Sequence, residues 1–165
     1  MNHPIRCLLV ALGAMSCARS GGQPAHTYQA RARHVTVTTV PLLVKEEQSV
    51  LPFLKGDFAK GGVLEGKEVY AFSPSSITVV EGDTVHFTLI NPEDDDHSFV
   101  LPDFAVALPP QKTTEATYVA KHAGIFTILC AVQSHLPMMS GQLVVLPAAA
   151  MAGADTLSSR SGSTR

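Results

Sequence analysis

From His34 onward the chain alternates apolar and polar side chains, and β-branched residues carry the alternation (HVTVTTV). A period of two built on such residues predicts a strand with one face buried. The same short pattern returns at about Val69–Phe72, Ile77–Val80, Thr84–Ile90, Ser98–Leu101, Thr113–Val119, Gly124–Cys130 and Gln142–Leu146. Turn formers separate these runs: Ser73-Pro74, Glu81-Gly82-Asp83, Asn91-Pro92, Pro109-Pro110 and Ala123-Gly124. Residues 45–68 hold Gly and Pro too often for one regular element and read as a long loop with at most a helical turn. Seven or eight short strands within about 110 residues predict an all-β fold, an antiparallel sandwich.

Alternation also assigns faces. Val85, Phe87 and Leu89 share the inward side of their strand and leave His86 facing outward. In the same way Phe126, Ile128 and Cys130 point together, so the Cys130 sulfur leaves its strand on the apolar side. A thiolate there is costly without a counter-charge, and a bound cation would supply one.

The ends of the chain read differently from its middle. Arg6 followed by the short apolar run Cys7–Met15 has the form of an export signal, giving residues 1–17 as a signal peptide. Small residues allow ordinary cleavage after Ala18; Ala14-Met15-Ser16-Cys17 is a loose bacterial lipoprotein box in which Cys17 would be lipidated. Residues 18–33 are expected to be a flexible linker, 34–147 the folded domain, and 148–165, rich in Ala, Ser and Gly, a disordered tail. The expected location is the bacterial periplasm or cell envelope, with the membrane reached only through a lipid anchor. Twelve Lys and Arg against fourteen Asp and Glu, a formal charge of −2, give no reason to expect nucleic acid as a partner.

Export sharpens the meaning of the three cysteines. Cys7 leaves with the signal and Cys17 is removed or lipidated, so Cys130 has no internal partner for a disulfide. An unpaired thiol in an oxidising compartment calls for burial or a metal. Cys130 stands in CAVQSHLPMMSG, where His135 and Met139 follow at C-x4-H-x3-M spacing. A loop of that length can wrap one ion before the next strand begins. Thiolate and thioether favour Cu(I) and imidazole suits both oxidation states, so this donor set selects copper. His97, in NPEDDDHSFVLP at a loop-to-strand junction, is the candidate fourth ligand.

GIFTILCAVQSHLPMMSGQLVV resembles the C-terminal strand-loop-strand of the cupredoxins, the azurin- and plastocyanin-like blue copper proteins, and PSSITVVEGDTVHFTLIN resembles the strands before their first histidine ligand. The resemblance spans roughly residues 69–147 and implies a Greek-key β-sandwich holding one copper ion. Carried over by position, His97, Cys130 and His135 match the trigonal ligands and Met139 the long axial one, with Met138 the competing choice. The chain departs from the family at Ser98, where Asn commonly ties the two ligand loops, and at Gln133-Ser134, where Pro-Gly is frequent. Those positions bear on the reduction potential and leave the ligands in place.

The function implied is that of a single-electron carrier and not an enzyme, with no nucleophile-base pair or second metal cluster evident. Its partner would be a redox protein such as a cytochrome or a membrane oxidoreductase. Leu136, Pro137 and Met138 are expected to form an apolar docking patch beside a near-surface His135. A copper-delivery protein, or the electron-transfer subunit of a membrane-associated oxidoreductase, is the alternative.

Overall fold

The computed structural model describes residues 27–151. The expected signal peptide, Cys17 and most of the expected linker and tail lie outside the described residues.

Nine strands are found among the described residues: β1 (Ala32–Leu43), β2 (Val69–Ser73), β3 (Ser76–Val80), β4 (Thr84–Asn91), β5 (His97–Leu101), β6 (Phe104–Leu108), β7 (Lys112–Val119), β8 (Gly124–Leu129) and β9 (Ser140–Leu146). They form two sheets, ordered β2-β1-β4-β7 and β3-β9-β8-β5-β6, packed as a sandwich. β4 shows why alternation is a good guide: Val85, Phe87 and Leu89 are buried while Thr84, His86 and Thr88 are only partly so. Aromatic side chains from both sheets meet in the core. Phe99 of β5 lies 5.5 Å from Phe72 of β2 and 5.1 Å from Phe87 of β4, in tilted or edge-on contacts that rings prefer.

Three features differ from expectation. The sandwich is not wholly antiparallel, since β1 runs parallel to β4 and β3 parallel to β9. Intervening strands and loops separate each of these pairs in sequence, which removes the hairpin constraint that forces neighbours to be antiparallel. Residues 45–68 are more regular than a loop: a 3-10 helix at Lys45–Ser49 and a short α1 at Leu54–Phe58, whose Leu54 is buried. Strand β6 was not expected at all.

The end of the expected linker is tied down as well. β1 begins at Ala32, and the buried carboxylate of Asp83 gathers the residues before and around that start. It accepts hydrogen bonds from the Tyr28 hydroxyl at 2.6 Å, the Arg31 N–H at 2.8 Å and the Arg33 Nε at 2.8 Å. Burial alone would raise the Asp83 pKa, but these donors and the Val80 N–H hold it down at about 2.

Candidate metal centre

The site stands at one end of the sandwich, where three chain segments converge. His97 opens β5, paired with Leu108 of β6. The loop before it is braced by Asn91, a buried amide at the end of β4. Its Nδ2 donates to the carbonyls of Asp95 at 2.8 Å and Leu108 at 2.9 Å, while its Oδ1 accepts from Thr39 at 2.9 Å. The amide therefore has its polar groups satisfied, as burial requires.

The second segment is the loop from Cys130 to Met139. The Cys130 N–H bonds to the Met139 carbonyl at 3.1 Å, extending the β8/β9 ladder to the first and last residues of the loop. Within it the Met139 N–H bonds to the His135 carbonyl at 3.0 Å, and the His135 N–H to Val132 at 3.0 Å. Gly141, just after the loop, is packed so closely that an added Cβ would lie 2.6 Å from the Ser75 carbonyl oxygen. Only glycine permits that approach, and it lets the Gln142 N–H reach the same carbonyl at 2.8 Å.

Three of the four expected ligands come together. Cys130 Sγ stands 3.9 Å from His97 Nδ1 and 3.6 Å from His135 Nδ1, and one donor atom from each residue lies within 4.8 Å of the others. Donors at about 2.0 and 2.3 Å from one ion, about 120° apart, are separated by about 3.7 Å. The two nitrogen–sulfur distances bracket that value, so the thiol and each imidazole are spaced as ligands of one ion would be. A thiolate with two imidazoles is a copper donor set, and fold and donors together support a single copper ion.

Met139 is fully buried in the same apolar cluster as Cys130, while Met138 is 37% exposed. Of the two, only Met139 has its side chain inside. Ser98 Oγ accepts the Ala131 N–H at 2.8 Å, which ties the His97 strand to the Cys130 loop.

His135 departs from expectation, being only 2% exposed where a near-surface ring was expected. Residues 67–70 cover it. The Glu68 N–H bonds to the Ser134 carbonyl at 3.1 Å, and Lys67 Nζ bonds to the Gln133 carbonyl at 3.0 Å. Tyr70 of β2 inserts its ring against both imidazoles, with centroids 4.6 Å from His97 and 4.7 Å from His135. Its hydroxyl donates to Asp95 at 2.6 Å; burial, followed by this bond and nearby acidic charge, raises its pKa and keeps it protonated. Glu68 and Asp95 also place carboxylate oxygens within 4.8 Å of His135. Asp95 thus points inward, although the run Asp94–Asp96 reads as a solvated loop.

Burial pushes His97 down to about 4, with His135 acting in the same direction against Asp95 and Asp96. Burial also lowers His135, against the opposing pull of Asp95 and Glu68. Both rings are neutral at neutral pH, the form in which imidazole binds a metal. Among the expected docking residues, Pro137 and Met138 are exposed and Leu136 is half-buried.

Tyr70, Glu68, Asp95 and Asn91 were not foreseen as parts of the site. The only signal for Tyr70 was a polar-tipped ring on the inward side of an alternating strand. Asn91 was legible only as a turn former.

A cupredoxin-like domain model matches residues 64–145. Among curated proteins, none matches the sequence. Similar solved structures include the Cu-containing nitrite reductase from Thermus scotoductus SA-01, 23% identical, covering 70% of this chain and 28% of that one at a TM-score of 0.49. A multi-copper oxidase from Pseudomonas thermotolerans is 13% identical, covering 73% and 31% at a TM-score of 0.50. Auracyanin A, a blue copper protein from Chloroflexus aurantiacus, is 20% identical and is covered over 98% of its length, with 69% of this chain, at a TM-score of 0.45. The chain spans under a third of the reductase and oxidase chains, and the likeness to them is one of fold alone.

Proposed function

Because the chain belongs to the cupredoxin family through its residues 64–145, we propose that it is an exported mononuclear copper protein that carries single electrons between redox partners. The observation that carries this reading is the convergence of His97 Nδ1 and His135 Nδ1 on Cys130 Sγ, at 3.9 and 3.6 Å. Bound copper supplies the one-electron chemistry by alternating between Cu(I) and Cu(II). The chain's residues do the rest. The two imidazoles and the thiolate would hold the ion, the buried Met139 would add a weak thioether donor, and the buried setting made by Tyr70 and Glu68 keeps water away.

Cupredoxin folds serve both electron carriers and copper enzymes. A carrier is favoured because the chain itself supplies four donors, whereas a catalytic metal keeps an open position for substrate. A delivery protein would profit from two methionines facing one ion, but Met138 is exposed and Met139 buried. Copper titration tests the reading: the Cys130 site should take up one equivalent reversibly in both oxidation states, read by its own spectrum apart from any copper bound elsewhere, and Cys130→Ser should not hold Cu(II) at this site.

For the partner we propose a redox protein, a cytochrome or membrane oxidoreductase, docking at Pro137 and Met138 with the edge of Leu136. For location we propose the bacterial periplasm or envelope, with Cys17 lipidated and the residues between it and Tyr28 serving as a tether. Two or more acyl chains hold a protein stably at a bilayer where one is marginal. Cys17→Ala should move the protein from the membrane fraction to the soluble one. A native protein found wholly soluble with its N-terminus at Arg19 would show ordinary cleavage instead.

A further inference from the structure

We propose that His34 and His86 form a second metal site, a two-imidazole chelate for a transition-metal dication on the outward face of the β2-β1-β4-β7 sheet. The two residues are direct partners in the parallel β1/β4 register. Their rings are stacked, with centroids 5.0 Å apart and planes inclined by 22°. His86 alternates with buried Val85 and Phe87, so the pair lies on the side of the sheet away from the core and from Cys130.

The geometry suits chelation. Two metal–nitrogen bonds of about 2.0 to 2.1 Å at 90° to 110° place their nitrogens about 3 Å apart. Backbones about 4.8 Å apart already bring the side chains side by side, so ring rotation about χ1 and χ2 closes the remaining gap without moving either strand. His86 Nδ1 also lies 3.2 Å from Thr117 Oγ1 of β7. The Thr117 hydroxyl can accept from Nδ1–H, and in that tautomer the Nε2 lone pair is left for a metal, the arrangement usual for a metal-bound histidine. Among the described residues His34 makes no side-chain hydrogen bond that would compete. Imidazole donors without thiolate suit Cu(II), Ni(II) and Zn(II), with Cu(II) the tightest and water completing the coordination. The site is independent of the copper centre and stands whether or not that centre carries electrons.

The test uses the untagged chain without the export-signal residues 1–17, with one equivalent of copper already bound, titrated with Ni(II) as a paramagnetic probe. In nitrogen–proton correlation spectra, broadening should begin at His34, His86 and Thr117. Calorimetry should show one Ni(II) site, weakened about a hundredfold in H34Q and in H86Q, because a chelate has become a single ligand. H122Q, which alters another exposed histidine, should bind as the parent does. Broadening centred elsewhere, or Ni(II) uptake unchanged in both H34Q and H86Q, would overturn the proposal. Should either variant fold poorly, the broadening pattern of the native chain decides alone.

Discussion

Ser98 Oγ accepts the backbone N–H of Ala131 at 2.8 Å and stands 3.9 Å from Cys130 Sγ. One short side chain thereby fastens the strand that begins with His97 to the loop that begins with Cys130. Ligand spacing in such a site depends on how rigidly these two segments are held, which a buried metal alone does not ensure.

Ser98→Ala removes that tie. The loss of one hydrogen bond should lower the stability of the metal-free protein by about 1 kcal/mol. Denaturant midpoints at constant slope measure it. An unchanged midpoint would mean that the loop is held by its ends alone.

Met139 and Met138 should respond oppositely to replacement by leucine. Met139→Leu removes a weak donor that favours Cu(II), so copper stays and the reduction potential rises. Met138→Leu changes a partly exposed side chain and should leave the potential where it was. Voltammetry of both variants decides. The reverse result would identify Met138 as the axial donor.

Tyr70 is expected to act through both its ring and its hydroxyl. Tyr70→Phe keeps the contacts with His97 and His135 but loses the bond to Asp95, at a cost of about 1 to 2 kcal/mol. Tyr70→Ala removes the ring, costs about 3 to 5 kcal/mol and opens His135 to water. Copper should then leave to a chelator much faster in the alanine variant than in the phenylalanine one. Equal rates would show that the ring does not shield the site.

Acid should expose the role of Asp83. Its folded pKa of about 2 lies below the ordinary 3.8, so the unfolded chain binds the more protons between those values. The stabilisation is therefore complete above about pH 5 and is lost as the pH falls toward 2, where about 2 kcal/mol of it is gone. Urea unfolding at pH 6 and pH 2 should show a drop larger by about that amount in the native chain than in Asp83→Asn. Equal drops would contradict the assignment.

Much of the fold and site was legible because the relevant signals are local. Alternation marked β4 residue by residue, and C-x4-H-x3-M picked out Cys130, His135 and the buried Met139 on one loop. β6 escaped because Phe104-Ala105-Val106-Ala107-Leu108 alternates large with small instead of apolar with polar, between Pro102 and Pro109. The parallel pairing of β1 with β4 is a long-range choice that no local pattern records. For the same reason the cover over His135 was invisible: Glu68, Tyr70 and Asp95 reach it from segments far away in sequence. Asp83 read as a turn former, and only the fold shows that its carboxylate ties down Tyr28 and Arg33.

The visible absorption spectrum of the chain loaded with one equivalent of Cu(II) tests the central claim most directly. A thiolate bound to Cu(II) within a trigonal Cys130, His97 and His135 set should give intense colour that reductant bleaches and oxidant restores. Cys130→Ser should abolish that colour. A native chain that binds Cu(II) without colour, or that keeps its colour in Cys130→Ser, would contradict the account.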